Sequence, residues 1–355
     1  MKTTGFIFFL IFLVIGFNAC FNKTALNNQN REFKVTSNTY RIAFGSCSKQ
    51  TKSQKILNTV LQYKPDLFIY LGDNIYGDTR DMDVLRSKYE KLGKKPEFKR
   101  LRYSTRILAV WDDHDFGEND AGKEYPFKEE SKEIFLEFWR EPLNSDRRKH
   151  KGIYHVEWVK NLTKKIQIIL LDTRTFRDHL TLKTDSLNYK NDYQPTISPD
   201  STMLGKEQWN WLEKQFRQKA DLRIIASSNQ FSHEYNGWES WTNMPHERQK
   251  MLNLIEKTRA EGVVFLSGDV HWGEISKEPR TDSRYPIYDI TSSGLTQDWD
   301  STEPNKNRIG KVVRKNNFGL LEINVGRNTF ITFKIINKSN VVEVEHKIQL
   351  SDLTF

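Results

Sequence analysis

The segment LFIYLGDNIYGD, residues 67–78, joins a continuous apolar run to a polar block that begins where the run ends. An uninterrupted apolar run of this length is typical of a strand buried on both faces. Asp73 follows the predicted strand directly, and Tyr76 and Asp78 come shortly after it. Because sites in open α/β sheets form at the carboxyl ends of strands, Asp73 and Tyr76 are candidate site residues. The alternatives are an ordinary turn for Asp73 and a packed aromatic for Tyr76.

Three further polar blocks follow apolar runs in the same manner. They are FGSCS at 44–48, WDDHDFGEND at 111–120 and SGDVHWGE at 267–274. The blocks together contain a thiol, a phenol, carboxylates, an amide and imidazoles, namely Cys47, Asp73, Tyr76, Asp112, Asp113, His114, Asn119, Asp269 and His271. Such a mixture is an inventory of metal ligands. Four strand ends can converge on one site, so the pattern suggests metal-dependent hydrolysis.

The carboxylates of residues 112–115 surround one imidazole. Clustered carboxylates repel one another unless cations compensate them, which favours a functional cluster over a surface acidic run. His114 could bind a metal or shuttle a proton, and Asn119 could offer a neutral oxygen to a hard cation. Asp269 and His271 are two residues apart, so in an extended segment they point to the same face. A loop histidine bonded to a nearby aspartate is the alternative for this pair.

Two further segments carry candidate substrate contacts. Arg174 and Arg177 lie in LDTRTFRD, residues 171–178, and arginine suits bidentate phosphate binding. A structural salt bridge is the alternative for both. Asn229 and His233 follow another predicted strand and could line the site, although polar loop residues need no special explanation.

Residues 1–20 have the pattern of a lipoprotein-type signal peptide. An early lysine is followed by an apolar run that is short for a membrane span, and a small residue precedes Cys20. We therefore expect export and a periplasmic or cell-surface lipoprotein anchored to the membrane through Cys20, with ordinary secretion or a retained anchor as the alternatives. Residues 21–38 are polar and would form a flexible tether. With Cys20 lipidated, Cys47 has no disulfide partner in the chain, so it is either a functional thiol or a buried small hydrophobe.

The 355-residue chain has a net charge of +9 and a pI near 9.2, but its basic residues are spread throughout. This excess could favour anionic substrates or membranes. It indicates no nucleic-acid-binding module, because no basic stripe with interleaved aromatics is visible. Residues 39–355 lack an obvious linker or repeat and are predicted to form one catalytic domain. Alternating strand and helix patterns predict a layered α/β fold with two mixed sheets and flanking helices, and a long loop over 179–203.

The ordered set GSCS, LGDNIYGD, WDDHD followed by END, LDTRTFRD and SGDVH resembles the alkaline phosphatase D (PhoD-like) family of metallophosphoesterases, over roughly residues 40–335. The resemblance implies a metallophosphatase-like fold of two facing mixed β-sheets flanked by helices. It also implies a site with Fe(3+) beside Ca(2+). Cys47, Asp73 and Tyr76 match the iron-binding pattern. The remaining metal positions are matched by Asp113, Asn119, Asp269 and His271. Many members carry a β-sandwich before the catalytic domain, and we expect none here.

The same resemblance implies a phosphodiesterase or phosphomonoesterase that uses a metal-bound hydroxide. Asp73 would bridge the two metals, and His114 would lie near the leaving group. The substrate would be a phosphate ester, with lipid-derived or nucleotide-derived esters as the open possibilities. The alternative is a metal-binding or adhesion lipoprotein with a degenerate site, which is disfavoured because each major block is present.

Overall fold

The computed structural model describes residues 38–160, 162–280 and 284–355. The predicted signal peptide, Cys20 and nearly all of the predicted tether lie outside the described residues. Among the residues that are described, no helix has both the length and the apolar character needed to cross a membrane.

The described chain alternates strands and helices before it ends in antiparallel strands. The strands are β1 (Thr39–Gly45), β2 (Leu67–Leu71), β3 (Arg106–Val110), β4 (His155–Val159), β5 (Ile166–Leu170), β6 (Thr181–Leu182), β7 (Tyr193–Gln194), β8 (Leu222–Ala226), β9 (Val263–Ser267), β10 (Gly273–Glu278), β11 (Ile287–Ser292), β12 (Arg308–Val313), β13 (Asn317–Asn324), β14 (Phe330–Asn337) and β15 (Val342–Gln349). The α-helices are α1 (Ile56–Gln62), α2 (Met82–Gly93), α3 (Pro96–Ser104), α4 (Asp113–Phe116), α5 (Lys128–Phe138), α6 (Gly205–Phe216) and α7 (Pro245–Thr258). Short 3-10 helices occupy Asp146–Arg148, Trp241–Asn243 and Leu350–Leu353.

Two large mixed sheets form the framework, as the sequence predicts. Within the described residues, the first has the strand order β15-β14-β13-β1-β2-β3 and the second has the order β12-β10-β11-β9-β8-β5-β4. Strands β1, β2 and β3 run parallel in the first sheet, and β5, β8, β9 and β11 run parallel in the second. The sheets meet where β1 and β13 pack against β11. The carboxyl ends of the parallel strands therefore lie at a common edge.

Strand β2 shows why the apolar runs become central strands. All five of its side chains are buried, and burying a large apolar side chain contributes about 1.5–3 kcal/mol. Its neighbours β1 and β3 provide parallel backbone partners on both sides. A strand that is covered on both faces and paired on both edges holds the residue after it in a defined place.

The structure differs from the sequence prediction in several segments, including β12, which was not predicted. The predicted loop 179–203 contains a small antiparallel pair, β6 with β7. Strand β10 was not predicted, because its buried Glu274 and Ser276 interrupt the apolar pattern. The Glu274 carboxylate is compensated by Arg308, whose Nε lies 2.5 Å from Oε2. Because Glu274 meets Arg308 only in the folded protein, the local sequence pattern does not reveal β10.

Candidate metal centre

The loops after β1, β2 and β9 are connected directly to one another. The backbone amide of Ser48 donates to the Asp73 carbonyl oxygen at 2.8 Å. The Cys47 Sγ lies 3.1 Å from the Ser293 Oγ, which also accepts from the His271 amide at 2.8 Å. The contact between Cys47 and Ser293 joins residues that are 246 positions apart in the chain. The predicted convergence of strand ends therefore has a specific set of backbone and side-chain contacts.

Four predicted ligands have left-handed backbone conformations. Their φ angles are 61° for Cys47, 49° for Asp73, 74° for Asp269 and 61° for His271. This conformation costs a non-glycine residue roughly 1–2 kcal/mol. Such strain is concentrated at functional sites, where the surrounding structure maintains it. The turns aim these side chains inward at an energetic cost.

Gly72 allows the loops after β2 and β3 to approach closely. Its φ is +98°, and a Cβ at this position would lie 2.5 Å from the Asp112 Cβ and 2.8 Å from the Asp112 backbone nitrogen. Any side chain here would separate the two loops. The glycine that precedes Asp73 is therefore required for the spacing between Asp73 and the acidic cluster.

One side of the site, which we call the thiol half, consists of Cys47, Asp73, Tyr76 and His271. The Cys47 Sγ lies 3.5 Å from the Asp73 Oδ2 and 3.5 Å from the Asp269 carbonyl oxygen. The Tyr76 hydroxyl lies 3.0 Å from the His271 Nε2. Single ligand atoms of Cys47, Asp73 and His271 all lie within 4.8 Å of one another. This spacing is suitable for one shared cation.

The other side, the carboxylate half, consists of Asp112, Asp113, Glu239 and Arg174. Carboxylate oxygens of its three acids lie within 4.8 Å of one another. The Arg174 Nε donates to the Asp112 Oδ1 at 2.6 Å, and Nη1 donates to the Glu239 Oε1 at 2.8 Å. Arg174 and Asp112 are fully buried. An internal cation thus compensates part of this negative charge.

Asp73 connects the two halves. It forms a second group with Asp113 and His114, again with ligand atoms within 4.8 Å of one another. His114 lies at the site boundary, where its Nδ1 is 2.6 Å from the Asp78 Oδ1. Its ring centroid is 4.2 Å from that of Tyr76. Burial alone would lower the pKa of His114, but the charges of Asp113 and Asp78 raise it to about 9.

Among the described residues, no guanidinium group is paired with the buried acids of the thiol half. Burial raises the pKa of Asp73 well above its usual value, and the charges of Asp113 and Asp112 add to this effect. Burial, followed by the charge of Asp73, also raises the pKa of the Cys47 thiol. Burial, with His114 nearby, lowers the pKa of His271 to about 4, so its imidazole is neutral. Neutral imidazole is the form that binds metals.

Several potential ligand atoms have no hydrogen-bond partner in the described part of the chain. They are the Asp73 Oδ1, the Asp112 Oδ2, the Asp113 Oδ1 and the His271 Nδ1. A buried polar atom without a partner costs about 1–3 kcal/mol. Cations would satisfy these oxygens and nitrogen and would compensate the repelling carboxylates. The residues present therefore fit a metal centre.

Asp269 contacts Cys47 through its backbone carbonyl oxygen, and its carboxyl group interacts electrostatically with the other acids of the site. Burial raises its pKa well above the usual value, and Asp112 and Glu239 are the next largest causes. Of the predicted metal ligands, Cys47, Asp73, Tyr76, Asp113, Asp269 and His271 are therefore brought together. Asn119 is exposed instead. The structure does not place it among the clustered ligand atoms.

The two predicted phosphate-binding arginines are both buried. Arg174 is engaged by Asp112 and Glu239, as described above. Arg177 Nη2 lies 3.1 Å from the Glu239 Oε1, and its Nη1 donates to the Asp178 carbonyl oxygen at 3.1 Å. The structure thus places both guanidinium groups behind the acids, in the salt-bridge arrangement that the sequence left as the alternative.

Several residues near the centre were not singled out from sequence. Glu239 lies in an aromatic-rich loop, where its only sequence signal is an isolated charge. Lys49 Nζ lies 5.3 Å from the Tyr76 ring centroid, and Lys52 is among the charges that act on His271. Asn229 and His233, which the sequence did suggest, are both 1% exposed, but Ser228, the neighbour of Asn229, donates its hydroxyl to the Asp112 Oδ1 at 2.8 Å, whereas His233 lies 3.5 Å from Glu274 in a separate buried network. Asn229 is therefore the stronger candidate of the two for this site.

Comparison with known proteins agrees with the geometry. The family model described as PhoD-like phosphatase matches residues 42–330, which is most of the chain. The chain belongs to the PhoD-like phosphatase family. A curated relative, alkaline phosphatase D of Bacillus subtilis (strain 168), is 24% identical over 273 residues. That match covers 64% of this chain and 45% of the relative, so the chain spans less than half of the relative's length.

Solved structures support the same fold. A structure of PhoD matches with a TM-score of 0.68 at 18% identity, over 89% of this chain and 70% of that one. The purple acid phosphatase PPD1 from yellow lupin (Lupinus luteus) matches with a TM-score of 0.61 at 13% identity, over 90% of this chain and 56% of that one. This PhoD-like chain therefore has the metallophosphatase fold that the sequence motifs implied.

Proposed function

We propose that the protein is a metal-dependent phosphoric ester hydrolase. The observation that carries this proposal is the convergence of inward-facing thiol, phenol, carboxylate and imidazole groups, several with unpartnered ligand atoms, at strand ends from both sheets. Membership of the PhoD-like phosphatase family supports the same reaction class. The overall reaction adds water to a phosphate ester and releases an alcohol and a phosphate.

We propose Fe(3+) for the thiol half and Ca(2+) for the carboxylate half. Anionic sulfur and phenolate ligands stabilise a high oxidation state, whereas carboxylate oxygens suit calcium. Asp73 would contact both cations, because its carboxylate belongs to clusters in both directions. Cations held there would neutralise phosphoryl oxygens and lower the pKa of a water molecule.

His114 is the proposed proton donor to the leaving alcohol. Asp78 holds its Nδ1 at 2.6 Å, which fixes the ring orientation and leaves Nε2 for the substrate side. A positioned acid of this kind contributes roughly 10²–10⁴-fold to the rate. Lys49 and Lys52, on the loop after β1, provide positive charge for an approaching phosphate. This assignment replaces the substrate role that the sequence suggested for Arg174 and Arg177.

The decisive experiment combines metal analysis with turnover. Natively purified protein should contain iron and calcium and should hydrolyse 4-nitrophenyl phosphate, bis(4-nitrophenyl) phosphate or both. The ratio of the two rates would assign monoesterase or diesterase preference. Removal of metal should abolish turnover, and readdition should restore it. A metal-replete protein that hydrolyses neither compound would support the alternative of a binding lipoprotein.

We further propose that the protein is exported and anchored through lipid on Cys20. The proposal is supported by the apolar run and the small residue before Cys20 in the sequence. Cys20→Ser should move the protein from the membrane fraction to the soluble fraction or block its maturation. Unchanged fractionation together with an unchanged mature mass would contradict the anchor. A lipid-derived substrate would be consistent with this location.

A further inference from the structure

An aromatic group with an exposed surface lies against the thiol half. The Trp299 ring centroid is 4.9 Å from that of His271, with an interplanar angle of 83°. The same ring lies 5.5 Å from Trp238 and 6.2 Å from Trp272. Trp299 nevertheless remains 37% exposed. Trp299, Trp238 and Trp272 therefore form one aromatic cluster that reaches the surface beside a charged centre, and a contiguous apolar patch of this kind marks a ligand contact.

The segment that carries Trp299 is hydrogen-bonded to the loop after β1, which contains Cys47 and Lys49 and which we call the thiol loop. The Thr296 amide donates to the Cys47 carbonyl oxygen at 3.1 Å, and the Thr296 Oγ1 accepts from the Lys49 amide at 2.7 Å. Beneath the ring, Trp272 is fully buried, and its Nε1 donates to the Glu274 Oε1 at 3.1 Å. The indole of Trp299 is thus supported in advance of binding, which reduces the entropy lost when a ligand docks.

The charges around Trp299 are asymmetric. Lys52 Nζ donates to the Thr296 carbonyl oxygen at 3.0 Å, on the side of the thiol loop. Asp298 and Asp300 flank Trp299 in the sequence, and both are exposed. An anionic phosphate is therefore favoured toward the lysines and toward cations held by the metal ligands, whereas the acids disfavour an anion at the indole. The part of a substrate that reaches Trp299 should be uncharged.

We propose that Trp299, with Trp238 beside it, stacks on a planar aromatic group carried by the phosphate-ester substrate. This inference rests on the proposed function and specifies the substrate class of the same site. A nucleobase and a simple aryl ring share the required chemistry, since both present a flat π-face. Stacking of this kind strengthens binding on the order of 10-fold or more.

The binding experiment uses full-length, metal-loaded protein and ligands that it cannot hydrolyse. Calorimetry compares phenylphosphonate with methylphosphonate, which differ in the planar group. Wild type should bind the phenyl compound on the order of 10-fold more tightly. Trp299→Leu should remove this preference while retaining methylphosphonate binding, and Trp299→Phe should keep most of it. Tyr103→Leu, which changes an aromatic residue that is 70% exposed on α3, is the matched control and should keep the full preference.

A kinetic experiment distinguishes the two sources of the planar group. Thymidine 5′-(4-nitrophenyl) phosphate and ethyl 4-nitrophenyl phosphate release the same leaving group, so their kcat/KM ratio reports the other substituent. A ratio that favours thymidine and falls in Trp299→Leu supports a nucleobase, whereas a preference only for phenylphosphonate supports a simple aryl ring. Equal binding of both phosphonates by wild type, with a thymidine-to-ethyl ratio near unity, would overturn the proposal.

An equal loss for planar and non-planar compounds in Trp299→Leu would also overturn it, because Trp299 would then only cover His271. Absence of hydrolysis would instead contradict the proposed function, while the calorimetric comparison would still decide the stacking contact.

Discussion

The thiol half and the carboxylate half of the site handle buried charge in different ways. In the carboxylate half, Arg174 lies between Asp112 and Glu239 and compensates them in part, so that burial raises the pKa of Asp112 only to about 7. In the thiol half, burial raises the pKa of Cys47 and of Asp73 toward their neutral forms. Both halves would hold a metal in the proposed centre, but only the carboxylate half also contains a paired guanidinium group. The difference predicts that substitutions in the two halves will separate stability from activity.

The largest effect is expected for Asp73→Asn, because Asp73 connects the halves. We expect turnover to fall on the order of 10³-fold and both metals to be depleted, since a shared charged ligand is lost. The metal-free variant should be at least as stable as metal-free wild type, because a buried carboxylate becomes a neutral amide. Rates, metal content and thermal melting with chelator present measure these outcomes. A metal-free variant that melts well below wild type would contradict the view that the buried Asp73 carboxylate destabilises the metal-free protein.

Arg174→Gln tests the carboxylate half. Removing the guanidinium leaves Asp112 buried without a cationic partner and leaves Glu239 with Arg177 alone, so the free energy of unfolding should fall by about 3–5 kcal/mol. Urea unfolding of metal-free protein measures the change. Arg86→Gln is the control, because its partner Glu137 is 52% exposed and such a surface pair contributes little. Equal stability of the two variants would mean that Arg174 does not compensate the acids.

Cys47→Ser and Tyr76→Phe test the thiol half. Each should reduce iron retention by about 10–100-fold while leaving calcium content less affected, because each removes a ligand suited to ferric iron. A phenolate bound to ferric iron should give a visible charge-transfer band, and Tyr76→Phe should remove or shift this band. Metal analysis and absorption spectra provide the two measurements. Full iron occupancy and an unchanged spectrum in both variants would exclude these residues as iron ligands.

The smallest effect is expected for Asn119→Ala. Asn119 is exposed, and a surface substitution usually changes the free energy of unfolding by no more than about 0.5 kcal/mol, so turnover should stay within about twofold. Asn229→Ala is the informative partner, because Asn229 is buried and its Nδ2 has no hydrogen-bond partner among the described residues. Calcium content and kcat for both variants identify which asparagine supports the site. A large loss for Asn119→Ala alone would restore the ligand assignment suggested by the sequence.

Much of the fold was predictable from local patterns. The apolar runs before Gly72 and Gly268 identified β2 and β9, because a strand buried on both faces needs apolar side chains at every position. Strand β10 was missed for the converse reason, since buried Glu274 is tolerated only beside Arg308. The local sequence pattern thus predicts a buried strand when its side chains are apolar. It fails to predict one when a buried charge is neutralised by a residue that is distant in the sequence.

The sequence by itself determined that Cys47, Asp73 and His271 follow strand ends and can be metal ligands. Only the tertiary structure decided that Arg174 faces Glu239, 65 residues away, rather than a substrate phosphate. The same holds for Trp299, whose contact with His271 brings together residues from different loops. The physical reason is that side-chain type and spacing are local properties, whereas charge compensation and ring packing depend on which loops the two sheets bring together.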